Sequence, residues 1–171
     1  MASDFGNPVF GAPADLTAYI LEPVEGITDK KRPAVLLCPG GGYHKLSGRE
    51  DQPIAMKYLA AGFHVFVLHY SLMPDVFPRA LMELALSMKL IREHGNEWNV
   101  DVKRIAVSGF SAGGHLACCL GTFWNKEWLY KALEVKPEMI QPNGMILCYP
   151  VITSEEYCHK GSFECLMGTE A

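Results

Sequence analysis

The sequence predicts an α/β fold: a mostly parallel sheet wrapped by helices. Three observations carry this. Short runs that are apolar on both faces alternate with segments of helical periodicity, the pattern of buried parallel strands joined by crossover helices. One such run leads into Gly109-Phe110-Ser111-Ala112-Gly113 at a strand-to-helix junction. Another ends in Pro39 and is followed at once by Gly40-Gly41-Gly42.

The elements follow in order. Residues 1–15 are rich in Gly, Pro and Asp and read as an irregular arm. Leu16 to Leu21 alternates loosely, as a strand near the sheet edge does. Glu22 to Arg32 is a polar turn region containing Pro23 and Gly26. Ala34 to Cys38 is continuously apolar and of strand length, which suits a central position. Gln52 to Ala61 reads as a helix with Ile54, Met56, Tyr58 and Leu59 on a rough apolar face, and Gly62 sits at its C-cap position. Phe63 to Tyr70 is the next buried strand, and Pro74 to Pro78 a loop. Arg79 to His94 is the clearest helix. Its apolar residues Leu81, Leu84, Ala85, Met88 and Ile91 recur close to the helical period, and Gly95 stops it. Asn96 to Arg104 is a polar connection. The strand and helix around Ser111 come next. Trp124 to Pro142 is a connection of mixed helical character, and Gly144 to Tyr149 one more buried strand.

Composition narrows the function classes. The chain has 171 residues, 49% hydrophobic and 20% charged, enough for one domain with a real core. A net charge of −4 with no basic run gives nucleic-acid binding no support. No apolar run is long enough to span a membrane. The opening Met1-Ala2-Ser3-Asp4-Phe5-Gly6 lacks a signal core, so a cytoplasmic location is the default. The six cysteines form no Cys-x-x-Cys pair, so no metal is expected, and they read as free thiols packed as small hydrophobes in a reducing compartment.

The two glycine motifs carry chemistry. In Gly-x-Ser-x-Gly the strand reverses sharply into a helix. The serine at the tip is forced into a strained conformation, and residues two positions away have no side chain to clash. The Ser111 hydroxyl is then held above the sheet at the positive end of a helix. Attack by that hydroxyl on an ester creates an oxyanion, which needs backbone N–H donors with nothing in the way. Gly41 and Gly42 supply two, and Ala112 a third. One such donor is worth about 3 kcal/mol of barrier. A phosphate loop needs a Gly-Lys-Ser/Thr that does not follow, and the dinucleotide spacing is missing. An ordinary turn remains the bland alternative for each motif.

Cys38-Pro39-Gly40-Gly41-Gly42-Tyr43, then Phe63 to Leu72, then Trp98 to Leu116, resemble the acetyl-esterase branch of the α/β-hydrolase superfamily, in its acetylxylan-esterase-like group. The resemblance covers nearly the whole chain from Leu16 onward. It departs at Pro39, where many relatives carry His. It implies an α/β-hydrolase fold, a mostly parallel sheet with helices on both faces. It also implies a serine esterase of short acyl groups, acetyl above all, often on sugars or xylan oligosaccharides. Ser111 would form an acyl-enzyme, and no cofactor would be needed.

A serine nucleophile needs a base and an orienting acid, which in this fold follow it in the order acid, then histidine. No aspartate follows Asp101, and only His115 and His159 follow Ser111. His115, one helical turn past Ser111, reads as packing beside the site. A triad of Ser111, Glu155 or Glu156, and His159 would take both partners from one short loop, which the family does not do. Residues 1–171 therefore read as a single but incomplete domain with the C-terminal strands missing and the triad acid and histidine beyond residue 171. Tyr43 and His44 are candidate pocket residues. His64 and His69 read as structural. Asp75, Phe77 and Pro78 form a loop on the Ser111 rim, and Trp98, Trp124 and Trp128 read as packing over helix ends. The competing readings are a serine peptidase of the same fold and a non-catalytic protein that binds a ligand or partner. An unpaired edge at Gly144 to Tyr149 would promote self-association. Residues 1–171 expressed alone are expected to run as associated species on a sizing column; a monodisperse monomer would count against the incomplete-domain reading.

Overall fold

The computed structural model describes residues 2–6, 14–23 and 30–169. Strands β1 (Ala2–Gly6), β2 (Asp15–Tyr19), β3 (Arg32–Cys38), β4 (His64–His69), β5 (Val100–Phe110) and β6 (Gly144–Cys148) form a sheet in the order β1-β2-β4-β3-β5-β6. β1 pairs antiparallel with β2 and β2 antiparallel with β4; the remaining pairings are parallel. Helices α1 (Gln52–Ala60), α2 (Arg79–Glu93), α3 (Ala112–Phe123), α4 (Glu127–Ala132), α5 (Pro137–Ile140) and α6 (Lys160–Met167) complete the chain. None is long and apolar enough to cross a membrane.

The runs that are apolar on both faces do serve both faces. In β3 and β4, Ala34, Leu36, Cys38, Phe66 and Leu68 point into the larger core with Leu81, Leu84 and Met88 of α2 and Leu116 and Leu120 of α3. Leu37, Val65 and Val67 point the other way, into a smaller core with Ala55, Ile54, Tyr58 and Leu59 of α1. Each large aliphatic or aromatic side chain so buried contributes about 1.5–3 kcal/mol. Helices thus cover both faces, as expected.

Two buried polar residues, Glu83 and His64, have hydrogen-bond partners on neighbouring segments. Glu83 of α2 is buried, yet its carboxylate accepts from the Ser71 N–H (2.8 Å), the Ser71 hydroxyl (2.6 Å) and Arg79 Nε (2.8 Å). This fixes the loop after β4 onto α2. His64 accepts the Leu21 N–H at Nδ1 (3.2 Å), so its Nε2 carries the proton and donates to the Asn99 carbonyl (3.2 Å). Trp98 stacks on His94 and packs on Phe66, and Trp128 packs on Phe77 and Phe123.

Several expectations need correction. The arm 1–15 contains strand β1; its residues 7–13 lie outside the described residues. The polar connection ends at Asn99 rather than Arg104, because Val100 already belongs to β5, where it is fully buried and pairs with Arg32 beside a register shift. β6 is not buried: Gly144, Met145 and Ile146 are exposed, since among the described residues it pairs with β5 alone. Helix α6 was not foreseen. No cysteine is in a disulfide; Cys38 is buried, but the other five are only partly so.

A Cβ built on Gly109 would lie 2.1 Å from the Gly113 carbonyl oxygen, and one on Gly113 2.2 Å from that of Cys38. A Cβ on Gly161 in α6 meets nothing within 4 Å. Gly109→Ala and Gly113→Ala are expected to lower unfolding free energy by about 1–3 kcal/mol or more. Gly161→Ala should be neutral or stabilising by about 0.5–1 kcal/mol. Urea denaturation of the three variants checks this ordering.

Candidate active site

Ser111 stands between β5 and α3 with φ 51° and ψ −117°, a conformation that costs a non-glycine residue about 1–3 kcal/mol. The surroundings enforce it. Its N–H donates to the Cys148 carbonyl (3.0 Å), and its carbonyl accepts from His115 (3.0 Å) and Val151 (3.2 Å). The side chain makes no capping hydrogen bond to α3. The partly buried serine thus stands at the helix N-terminus, where developing negative charge is favoured.

The glycine loop is anchored one peptide plane at a time. The Pro39 carbonyl accepts from the buried Tyr70 hydroxyl (2.7 Å), and the Gly40 N–H of the same plane donates to Glu50 Oε2 (2.9 Å). The Gly40 carbonyl accepts from Ser47 (2.8 Å), and that of Gly41 from Lys45 (3.2 Å) and, at 3.4 Å, His44. In a trans peptide the N–H points opposite to the preceding carbonyl. Holding those two carbonyls thus turns the N–H groups of Gly41 and Gly42 the other way. Among the described residues neither of these N–H groups, nor that of Ala112, donates to a backbone acceptor. Gly41 and Gly42 have φ of 134° and 69°, which side chains rarely adopt. A Cβ on Gly40 would sit 2.6 Å from Glu50 Oε2 and 3.1 Å from Ser111 Cβ, so the loop lies directly against the serine.

Tyr43 is buried, and its hydroxyl shares a 2.8 Å hydrogen bond with His115 Nδ1, so it packs beneath the loop. With Asp75, Phe77 and Pro78 it lines a narrow cavity that continues to Leu166 of α6. His44 is exposed. His115 packs against Tyr43, Phe163 and Cys119, beside the site as expected. Burial pushes the Cys119 thiol up to about 12, which keeps it protonated and unreactive. His159 caps α6, accepting the Ser162 N–H (3.3 Å) and sharing a 2.8 Å hydrogen bond with the Ser162 hydroxyl. Glu155 and Glu156 are exposed in the preceding loop. Among the described residues no side chain is hydrogen-bonded to the Ser111 hydroxyl. Glu50, Tyr70 and Tyr149 escaped the sequence reading. Tyr149 donates to Glu50 Oε1 (2.8 Å), a bond that raises its phenol to about 12. The one available signal was an aromatic residue at the end of two strands, Tyr70 after β4 and Tyr149 after β6.

A mostly parallel sheet in this order, a strained serine between β5 and α3, and a glycine loop after β3 define an α/β-hydrolase fold. The BD-FAE family profile matches residues 23–147, and the chain belongs to that family. It is 31% identical over 148 residues to endo-1,4-beta-xylanase B of Butyrivibrio fibrisolvens, covering 82% of this chain and 22% of that protein. It is 30% identical over 139 residues to an acetylxylan esterase of Xylanibacter ruminicola, covering 80% and 26%. The crystal structure of an acetyl ester-xyloside bifunctional hydrolase from Caldicellulosiruptor lactoaceticus superposes with a TM-score of 0.77 at 32% identity, over 95% of this chain and 58% of that one. The chain thus spans roughly a quarter of the curated relatives and under two thirds of the solved structure.

Burial holds His115 below the ordinary imidazole range. Above about pH 6.5 the ring is neutral in both folded and unfolded chains. Below that the unfolded chain takes up a proton that the folded one resists, so stability falls with pH. Urea midpoints measured from pH 7.5 down to 5 are expected to drop less in His115→Gln than in the native chain. Equal drops would contradict a neutral, buried imidazole.

Proposed function

We propose that the protein is a serine carboxylic-ester hydrolase acting on short acyl esters, acetyl above all, carried by sugars such as xylan oligosaccharides. The observation that carries this reading is the pairing of a strained, uncapped Ser111 with three backbone N–H groups turned free of backbone acceptors beside it. The relatives named as an acetylxylan esterase and an acetyl ester-xyloside hydrolase support the acyl group and the sugar.

In this mechanism Ser111 Oγ attacks the ester carbonyl carbon while a base takes its proton. The carbonyl π-electrons move to oxygen, and the N–H groups of Gly41, Gly42 and Ala112 meet that charge. Collapse breaks the bond to the alcohol oxygen, which leaves with the proton, and Ser111 keeps the acyl group. Water, deprotonated by the same base, attacks the acyl-enzyme and releases the acid. Residues 1–171 bring no base to the hydroxyl among those described.

The test is hydrolysis of p-nitrophenyl acetate by the protein with its whole native chain, alongside fluorophosphonate labelling. Ser111→Ala is expected to cut kcat/KM at least about 10,000-fold and to abolish labelling. Unlabelled native protein would instead favour a non-catalytic ligand binder.

A further inference from the structure

We propose that Glu50 is a positioning residue: its carboxylate clamps the glycine loop to the chain leaving β6, holding the two walls around Ser111 in register. The proposal rests on the esterase reading of that site. Glu50 Oε2 takes the Gly40 N–H at 2.9 Å, and Oε1 takes the Tyr149 hydroxyl at 2.8 Å. These are the two sides of the serine. The glycine loop lies against Ser111 Cβ, and Cys148 and Val151, which flank Tyr149, hydrogen-bond the Ser111 backbone.

The clamp has a second consequence. Gly40 is the one loop glycine whose N–H is occupied by a side chain. Together with the Tyr70 hydroxyl on Pro39 it fixes both ends of the first peptide plane. The next two planes, whose N–H groups remain open, start from that fixed plane. A carboxylate is well suited to such a clamp, since its two oxygens accept one bond from each wall, and hydrogen bonds to an ionised acceptor are the stronger kind. Tyr149 itself has φ 37°, and it packs on Phe110, the residue before Ser111, at 5.7 Å between ring centres. The lip is therefore braced from the serine's own strand and from Glu50.

Three variants of the whole protein test this: Glu50→Ala, Glu50→Gln and Tyr149→Phe. The amide of Gln is isosteric; its oxygen accepts from Gly40 and its NH2 donates to the Tyr149 oxygen. Hydrogen–deuterium exchange of the peptide covering residues 40–46 is expected to quicken about tenfold or more in Glu50→Ala and to stay near native in Glu50→Gln. With p-nitrophenyl acetate, kcat is expected to fall about 10- to 100-fold in Glu50→Ala with KM changed under about twofold, and Gln should restore most of it. Tyr149→Phe removes one arm and should quicken exchange by a smaller factor; it stands in if Glu50→Ala does not fold. Unchanged exchange in Glu50→Ala, or in Tyr149→Phe where that stands in, overturns the proposal. So does a kcat loss that Gln does not restore. Native protein without Ser111-dependent hydrolysis sinks the esterase reading instead, and the exchange measurements still decide whether Glu50 holds the loop.

Discussion

The close approach of three backbone segments without side chains governs this structure. At Gly109 and Gly113 a single methyl group would fall within 2.2 Å of a carbonyl oxygen, one from α3 and one from β3. Overlap of that size is not relieved by rotating a side chain, because the atoms in the way belong to backbone. Only glycine lets α3 start so near the sheet. Only then does the serine between β5 and α3 take its positive φ and stand clear of the helix it precedes. The hydrogen bonds to the Cys148 carbonyl and from the N–H groups of His115 and Val151 hold that strained residue in place.

The loop after β3 answers the same constraint from across the site. Its shape comes from four partners: Tyr70 after β4, Glu50 before α1, Ser47 within the loop, and Met73, whose N–H donates to the Tyr43 carbonyl. Glu83 fixes the loop bearing Met73 by binding Ser71 and Arg79. A chain of bonds thus runs from the buried face of α2 to the donors beside Ser111. Preorganised donors contribute most when they need not move during reaction. This loop uses the carbonyls of Pro39, Gly40 and Gly41 for anchoring and leaves the N–H groups of Gly41 and Gly42 free of backbone acceptors among the described residues.

How much of this was legible in the sequence follows from which physics each part uses. The buried strands β3 and β4 and the helix α2 were readable because burial on both faces, or on one helical stripe, leaves a direct mark on residue order. The elbow and the glycine loop were readable because only glycine satisfies their geometry. Strand β5 was read short because Asp101, Lys103 and Arg104 break its apolar run, although Val100 is buried against its neighbours. β6 looks buried in sequence, yet its exposure is decided by what lies beside it. The burial of Tyr43 was not legible, because its positive φ turns it under the loop onto His115. Glu50 sits in a polar stretch with no periodicity, and its role depends on Tyr149, ninety-nine residues away.

The most direct measurement is a crystal structure of the whole protein after reaction with a small phosphonate ester. A covalent bond from Ser111 Oγ to phosphorus is expected, with one phosphonyl oxygen about 2.7–3.1 Å from the N–H groups of Gly41, Gly42 and Ala112. An adduct on another residue, or a phosphonyl oxygen turned away from those three groups, would contradict the account.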